Sequence, residues 1–369
     1  MASGSRDPTG LTFPGGPPTV RSAMKVTVSA RNGTREFECE AGEKILHAAL
    51  RRGVELPYEC ATGTCGTCKA RLVRGRTTSD WPEAPGVRYL KSEAELLTCQ
   101  SVAHEDCALE VGTSLKVSEP NTSLPAAVGG VLRGWRRLTH DVAAFDVDLD
   151  TPIDFAAGQF ALLRVPGVAG ARAYSMVNFE RAAGRLSFVV KRKPGGAVSD
   201  WLFGDTVEGA RLGVVAPLGR ATFHPDVKRH VLCIAGGSGI AGMMSILSLA
   251  CRARHFASWD GHVFFGVRTA ADGFFLDELE AFRRQSPARL SVTVALSDED
   301  IPASLTDAHP ALTFARGFVH AVAGERMAGR YADVRAWVAG PPPMVDASLR
   351  LLLREARLSP AEIRYDKFS

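Results

Sequence analysis

The sequence predicts a multidomain chain: a small α+β domain, an antiparallel β-barrel, and an α/β domain built on a parallel sheet. Three observations carry this. A cysteine-bearing loop follows a strand–strand–helix pattern near the N-terminus, short strands separated by turns fill the middle, and strand–helix alternation begins after Lys228. At 369 residues the chain has room for two or three domains. Apolar residues at 46% and charged residues at 23% suit buried cores. A net charge of +4 without a Lys/Arg block gives no footprint for nucleic acid. No apolar run reaches the roughly 18 residues of a membrane span. The N-terminus lacks a charged-then-apolar leader pattern, so a cytoplasmic protein is expected.

Residues 1–23, rich in Gly, Pro, Ser and Thr, read as a disordered tail. Alternation predicts strands over 24–30 and 35–39 around the Asn32-Gly33 turn. Helical spacing of Ile45, Leu46, Ala49 and Leu50 predicts a helix over 44–52, stopped by Gly53. A strand over 70–73 follows the cysteine loop, and the first domain, 24–118, gives way to a polar linker over 119–129. The second domain, 130–226, carries strands over 131–136, 143–149, 160–165, 172–177 and 186–191, with a short helix over 198–203. The third, 227–369, alternates strands at 230–235, 262–265, 290–295 and 334–339 with helices at 240–251, 276–284 and 344–355.

Of eight cysteines, four fall close together: Cys60, Cys65, Cys68 and Cys99. In a reducing compartment this clustering reads as metal ligation, whereas Cys39, Cys107, Cys233 and Cys251 read as small buried hydrophobes. C-x4-C-x2-C with a distant fourth cysteine is the plant-type 2Fe–2S spacing. Three thiolates on one tight loop and a fourth from elsewhere can surround two irons. Structural zinc would ordinarily use two paired knuckles, and only one such pair is present. Pro57-Tyr58-Glu59-Cys60 through Cys68, with Leu97-Thr98-Cys99-Gln100, resembles plant-type ferredoxin domains, which implies a ferredoxin-like β-grasp fold. Ala61 departs from the Arg that many of those ferredoxins carry; the ligands are untouched, but a charge beside them is missing.

Arg172-Ala173-Tyr174-Ser175 is expected on a strand, with Gly195-Gly196-Ala197-Val198-Ser199 further on. A flavin nucleotide needs an aromatic wall, a cation for its pyrophosphate and a helix N-terminus for phosphate. Tyr174, Arg172 and the 196–199 turn offer these in that order. Taken alone, the four-residue motif also fits an ordinary packed strand. With the domain order and the Gly158-Gln159-Phe160 turn, it resembles the flavin domain of the ferredoxin–NADP reductase superfamily. That resemblance implies that Arg172 contacts flavin phosphate, Tyr174 stacks on the flavin, and Ser175 lies by its reactive nitrogen as a catalytic residue. Gly196, Val198 and Ser199 would bind phosphate. It implies FAD rather than FMN, because FMN members usually carry their ferredoxin domain at the C-terminus.

Gly236-Gly237-Ser238-Gly239-Ile240-Ala241-Gly242 joins a predicted strand to a helix and satisfies G-x-G-x-x-G, which can aim backbone donors at a pyrophosphate. The acidic residue that should end the next strand is missing, since Asp260 precedes that strand; a plain tight turn is the alternative. The superfamily's nicotinamide domain uses G-G-x-G-[IV]-[AT]-P, Y/F-G-x-R and C-G-P-P-x-M. Here Phe265-Gly266-Val267-Arg268 and Ala339-Gly340-Pro341-Pro342-Pro343-Met344 resemble the last two, with Gly242 for the usual Pro and Ala339 for the usual Cys. The resemblance implies nicotinamide binding by Gly236, Gly237, Gly239, Ile240, Arg268, Gly340, Pro341 and Met344. NADH is expected over NADPH, because Thr269, Ala270, Ala271 and Asp272 supply no second cation.

The resemblance covers 24–369 and implies a reductase in which a two-electron hydride donor feeds a flavin and then a one-electron cluster. Reductases of multicomponent oxygenases share this arrangement. Trp81-Pro82-Glu83-Ala84-Pro85-Gly86, Gly317-Phe318-Val319-His320 and Tyr365-Asp366-Lys367-Phe368 resemble in particular the reductases of toluene-monooxygenase-type diiron enzymes. Reductases of Rieske dioxygenases share the layout, so the terminal oxygenase stays open. The implied partner is an oxygenase or hydroxylase component, or its small ferredoxin or effector protein, with no nucleic acid and no membrane. A C-terminal aromatic in this family covers the flavin until nicotinamide displaces it, which implies a catalytic role for Phe368; anchoring the chain end is the alternative. A free-standing NADH:acceptor oxidoreductase and a non-enzymatic iron–sulfur redox sensor are rival functions. Arg71, Arg74 and Arg76 read either as a dock for an acidic partner or as a solvated basic face.

Overall fold

The computed structural model describes residues 23–368 except Asn121, Asp205 and Thr206; the expected tail over 1–23 therefore lies outside the described residues, save Ala23. The chain divides into two compact units. One takes the residues up to Gly130 with Ala161–Ala173 and Arg211–Leu218; the other takes Val131–Phe160, Tyr174–Ala210 and everything from Gly219.

In the first unit, Asn32-Gly33 turns the chain between strands Met24–Ala30 and Gly33–Cys39, with Ala30 opposite Gly33. Alternation buries Met24, Val26 and Val28 on one face. Strand Met24–Ala30 also pairs in parallel with Cys107–Glu110, which pairs with Lys69–Arg74 and so leads to Glu95–Leu97. Helix Ile45–Arg51 packs along Gly33–Cys39 and buries Ile45, Leu46, Ala48, Ala49 and Leu50. A mixed five-stranded sheet with one helix across it is the α+β domain the sequence predicts.

Six strands make up the middle sheet, in two runs of hydrogen-bonded neighbours: Arg172–Ser175, Phe160–Arg164 and Arg211–Leu218, and Ala126–Arg137, Val142–Ile153 and Ala183–Lys191. The last two pair antiparallel from Val142 opposite Lys191 to Ile153 opposite Ala183. The long strand begins at Ala126, so its first residues take up the end of the expected linker. Arg211–Leu218 was not expected, because Gly213 and Pro217 break its apolar alternation.

The third segment is a six-stranded parallel sheet ordered Thr313–Arg316, Leu290–Leu296, Gly261–Val267, His230–Gly236, Val334–Gly340 and Ile363–Lys367. Period-2 alternation divides its strands between two cores. Val231, Cys233 and Ala235 face helices Ile240–Arg252 and Leu276–Gln285, while Leu232 and Ile234 face helices Val319–Met327 and Pro342–Arg350. Cys39, Cys107 and Cys233 are fully buried and Cys251 partly so; burial raises Cys39 and Cys233 to about 12 and Cys251 to about 11, as inert thiols require.

His262 sits in this sheet with Nδ1 at 2.8 Å from Ser291 Oγ and Nε2 accepting from Arg330 at 3.3 Å. Burial, reinforced by Arg330, lowers its pKa from 6.5 to about 4. The folded state therefore refuses a proton that the unfolded chain accepts, and stability falls as pH drops from 6.5 toward 4. By pH 5 the loss is about 2 kcal/mol. We expect His262→Asn to lower stability at neutral pH yet shrink the difference in urea midpoint between pH 7.5 and pH 5. An undiminished difference would assign the acid sensitivity to other groups.

Candidate functional site

The cysteine loop brings its four thiols together in two pairs. Cys60 and Cys65 have sulfurs 3.2 Å apart, and Cys68 and Cys99 likewise 3.2 Å. This is far beyond the ~2.04 Å of a disulfide, and close enough for each pair to share one metal. Thr62 and Thr67 point backbone N–H groups at the sulfurs of Cys60 and Cys65, at 3.4 and 3.5 Å, and the Gln100 amide reaches the Cys99 sulfur at 3.6 Å. These donors favour thiolate. The hydrogen bond from Cys65, helped by Thr62 and Thr64, pulls Cys60 down to about 4. Gly66 is required here: at φ +75° a Cβ would meet the Tyr89 ring at 2.5 Å. Cys68 and Cys99 are buried and Cys60 and Cys65 half-buried, so one edge of the site is nearer solvent. Four thiols in two pairs with N–H donors around them fit a 2Fe–2S cluster.

In the second unit, strand His230–Gly236 is followed by a tight turn, Gly237–Gly239, and helix Ile240–Arg252. No side chain caps that helix, so its first N–H groups are open to an anion. Its neighbour Val334–Gly340 runs parallel, with Ala235 opposite Ala339. The chain order of the sheet reverses between these two strands, which makes their carboxyl ends the topological switch point. Gly236, Gly239, Gly340, Pro341 and Met344 crowd there: a Cβ on Gly236 would lie 3.3 Å from Pro341 and 3.0 Å from Met344 Cε.

Ser175 is buried at the end of its strand, beside this loop. A Cβ on Gly242 would lie 3.5 Å from Ser175 Cβ and 3.6 Å from its Oγ. Ser245, one turn further along the helix, locks the arrangement by accepting from Gly158 N–H at 2.9 Å and donating to the Gly242 carbonyl at 2.8 Å. A small, water-sized cavity lies between them, lined by Gly158, Ser175, Gly242, Trp337, Ala339 and Asp366 among others. Arg172 and Tyr174 are half-buried on the strand leading to Ser175. In the 193–199 turn the Ser199 hydroxyl accepts from Lys193 N–H and donates to turn carbonyls, so it ties the turn together; Val198 is buried and offers only backbone.

Three stretches match described families: residues 29–104 the 2Fe-2S iron-sulfur cluster binding domain, 130–223 the oxidoreductase FAD-binding domain, and 233–349 the oxidoreductase NAD-binding domain. The ferredoxin–NAD(+) reductase component of the alkene monooxygenase system of Xanthobacter autotrophicus is 37% identical over 343 residues, covering 91% of this chain and 99% of that one. This chain belongs to the same family of iron–sulfur flavoprotein reductases. The xylene/toluene monooxygenase electron transfer component XylA of Pseudomonas putida is 32% identical, covering 89% of each chain. Among solved structures, the ferredoxin reductase in carbazole 1,9a-dioxygenase superposes with a TM-score of 0.79 at 31% identity, covering 94% of this chain and 99% of that one. The protein is thus an oxidoreductase with 2Fe–2S, FAD-binding and NAD-binding domains.

One residue in the site of the reductase, Asp366, escaped sequence reasoning as a site element. Ile363–Lys367, polar after its first residue, is a sheet strand beside Val334–Gly340, and this places Asp366 at the cavity. The same pairing lets Phe368, expected either over the flavin or as an anchor of the chain end, donate its N–H to the Gly340 carbonyl at 3.0 Å and pack, half-buried, on the core. The tail motif Tyr-Asp-Lys-Phe, which had pointed to Phe368, was the signal that could have found Asp366. Arg268 is exposed at the end of its strand and bound to Asp298 at 2.8 Å. Arg71 is paired with Glu110. Among the described residues no helix is long and apolar enough to cross a membrane.

Proposed function

We propose that this reductase is the NADH-preferring, cytoplasmic electron donor of a multicomponent oxygenase, passing electrons from NADH through FAD and its cluster to a separate oxygenase or to that system's small ferredoxin or effector protein. The observation that carries the reading is the approach of the flavin-motif serine to the glycine loop of the nicotinamide motif at the switch point, where a Cβ on Gly242 would lie 3.5 Å from Ser175 Cβ. FAD held here would supply the chemistry that links a two-electron hydride donor to a one-electron cluster. Arg172 and the backbone of Gly196, Val198 and Ser199 hold flavin phosphate, Tyr174 covers one flavin face, and Ser175 offers its hydroxyl to the reacting edge. Gly236, Gly237, Gly239 and Ile240 present N–H groups to the dinucleotide, while Gly340, Pro341 and Met344 wall the pocket and Phe368 shields it. Arg268 engages the ribose, and Cys60, Cys65, Cys68 and Cys99 ligate the cluster. The domains read as 24–118, 130–226 and 227–369.

NADH is favoured because Asp298 already neutralises Arg268 and Asp272 lies nearby, so a 2′-phosphate would meet carboxylate rather than a second cation. Anaerobic titration with NADH should deliver about three electrons per chain, two to FAD and one to the cluster. NADPH should be poorer in kcat/KM by about tenfold or more. Uptake of only two electrons, or a preference for NADPH, would overturn the reading. Low-salt affinity capture followed by electron paramagnetic resonance then distinguishes a diiron partner from a Rieske one.

A further inference from the structure

Trp81 stands on a strap, residues 80–86, that is fastened to the cluster segment at several points. Asp80 donates its N–H to the Gln100 carbonyl at 2.9 Å, and the buried Lys44 ammonium pairs with the Asp80 carboxylate while donating to that same carbonyl at 3.2 Å. Gln100 is the residue after the ligand Cys99. Further along, Gly86 donates to the Gly63 carbonyl at 2.8 Å, inside the cysteine loop. Trp81 itself donates its N–H to Ser79 Oγ and accepts from Ala84 N–H at 3.1 Å, so its backbone is fixed from both sides. From there its indole face meets the guanidinium of Arg172, whose Cζ lies 5.2 Å from the ring centroid. Both residues belong to one compact unit.

A guanidinium held over an indole face spends no N–H on that contact; Arg172 Nη1 donates to the Ala171 carbonyl at 2.9 Å, and the remaining N–H groups are what can grip a phosphate. The stack also removes much of the side-chain freedom that Arg172 would otherwise lose on binding. We propose that Trp81 is a positioning residue for FAD: it holds Arg172 with its donor edge ready for the flavin phosphate, so that flavin retention depends on a side chain delivered by the cluster segment. This rests on the reading of Arg172 as the phosphate-binding cation.

The test measures FAD and riboflavin affinity of the full-length, cluster-loaded protein after flavin removal, with the cluster absorbance confirming an intact first unit. Trp81→Leu should weaken FAD binding about three- to thirtyfold, Trp81→Phe should recover most of it, and riboflavin, which has no phosphate, should bind all three alike. Arg172→Ala should weaken FAD further, and adding Trp81→Leu to it should cost nothing more. If Arg172→Ala leaves FAD affinity unchanged, the assignment of Arg172 fails. If Arg172→Ala weakens FAD but Trp81→Leu does not, or the two losses simply add, or riboflavin suffers equally, Arg172 keeps its role and the positioning role of Trp81 is overturned.

Discussion

Cys65→Ser is expected to erase the signal of the reduced 2Fe–2S cluster in electron paramagnetic resonance while leaving NADH-driven reduction of a flavin-accepting dye nearly intact. The reason is geometric. Cys65 is half of the 3.2 Å pair with Cys60, and a serine hydroxyl in its place does not ionise near neutral pH, so one metal loses a thiolate that no neighbour replaces. Cys39 and Cys107 are buried thiols with raised pKa values, held in the sheet by their own backbone contacts. The flavin strand's Ser175 and the glycine loop lie in the other compact unit, whose core is formed by its own residues, so hydride uptake has no need of the cluster. The assay is run with FAD in excess, because the strap bearing Trp81 is tied to the cluster loop. Electron delivery to a one-electron protein acceptor should fall to background. A variant that is folded and flavin-loaded yet also fails to reduce the dye would show that the electron order is wrong.

What could be read from the sequence was whatever local chemistry dictates. The four cysteines lie on a short loop plus one strand end, so their spacing carries their geometry, and the two sulfur pairs are formed by ligands close in the loop or brought across by the Leu97-Thr98-Cys99 turn. Strong periodicity likewise marked His230–Gly236 and Ile240–Arg252. Elements whose existence depends on a distant partner were not legible. Ile363–Lys367 is a strand only because Val334–Gly340 offers it an edge, and Thr313–Arg316 because Leu290–Leu296 does. Asp366 was invisible as a cavity residue for that reason. Helix Val319–Met327 hid behind a motif noted only for its likeness to relatives, since Gly324 and His320 dilute its apolar stripe. The Ser199 hydroxyl shows what spacing does not carry: the turn it folds into uses that hydroxyl for itself, so only its backbone is left to a ligand.

The glycine loop offers the sharpest division between what a motif matches and what geometry requires. Gly239 and Gly242 both complete G-x-G-x-x-G, yet their surroundings are opposite. A Cβ on Gly239 would sit 2.1 Å from the Ala339 carbonyl oxygen and 2.9 Å from Gly340 N, and this backbone is pinned by its ladder to His230–Gly236. No flexible side chain can yield, so Gly239→Ala must push the two strand ends apart at the switch point. We expect a loss of about 1–3 kcal/mol in stability and a fall of about a hundredfold in kcat/KM for NADH, with the cluster spectrum unchanged. A Cβ on Gly242 would meet Ser175 and the Gly158 carbonyl only at 3.5–3.8 Å, ordinary contact, on a backbone without positive φ. Inside a helix, Gly242→Ala should therefore stabilise by about 0.5–1 kcal/mol and raise Tm by about 1–2 °C, while flavin reduction changes little. Comparable damage from both substitutions would mean that the loop tolerates no added atom anywhere and that the contact at Ala339 is not the cause. Damage confined to Gly239 would assign the close approach of the two strand ends as the feature that this loop's glycines serve, and would leave Gly242 as a position the fold itself does not constrain.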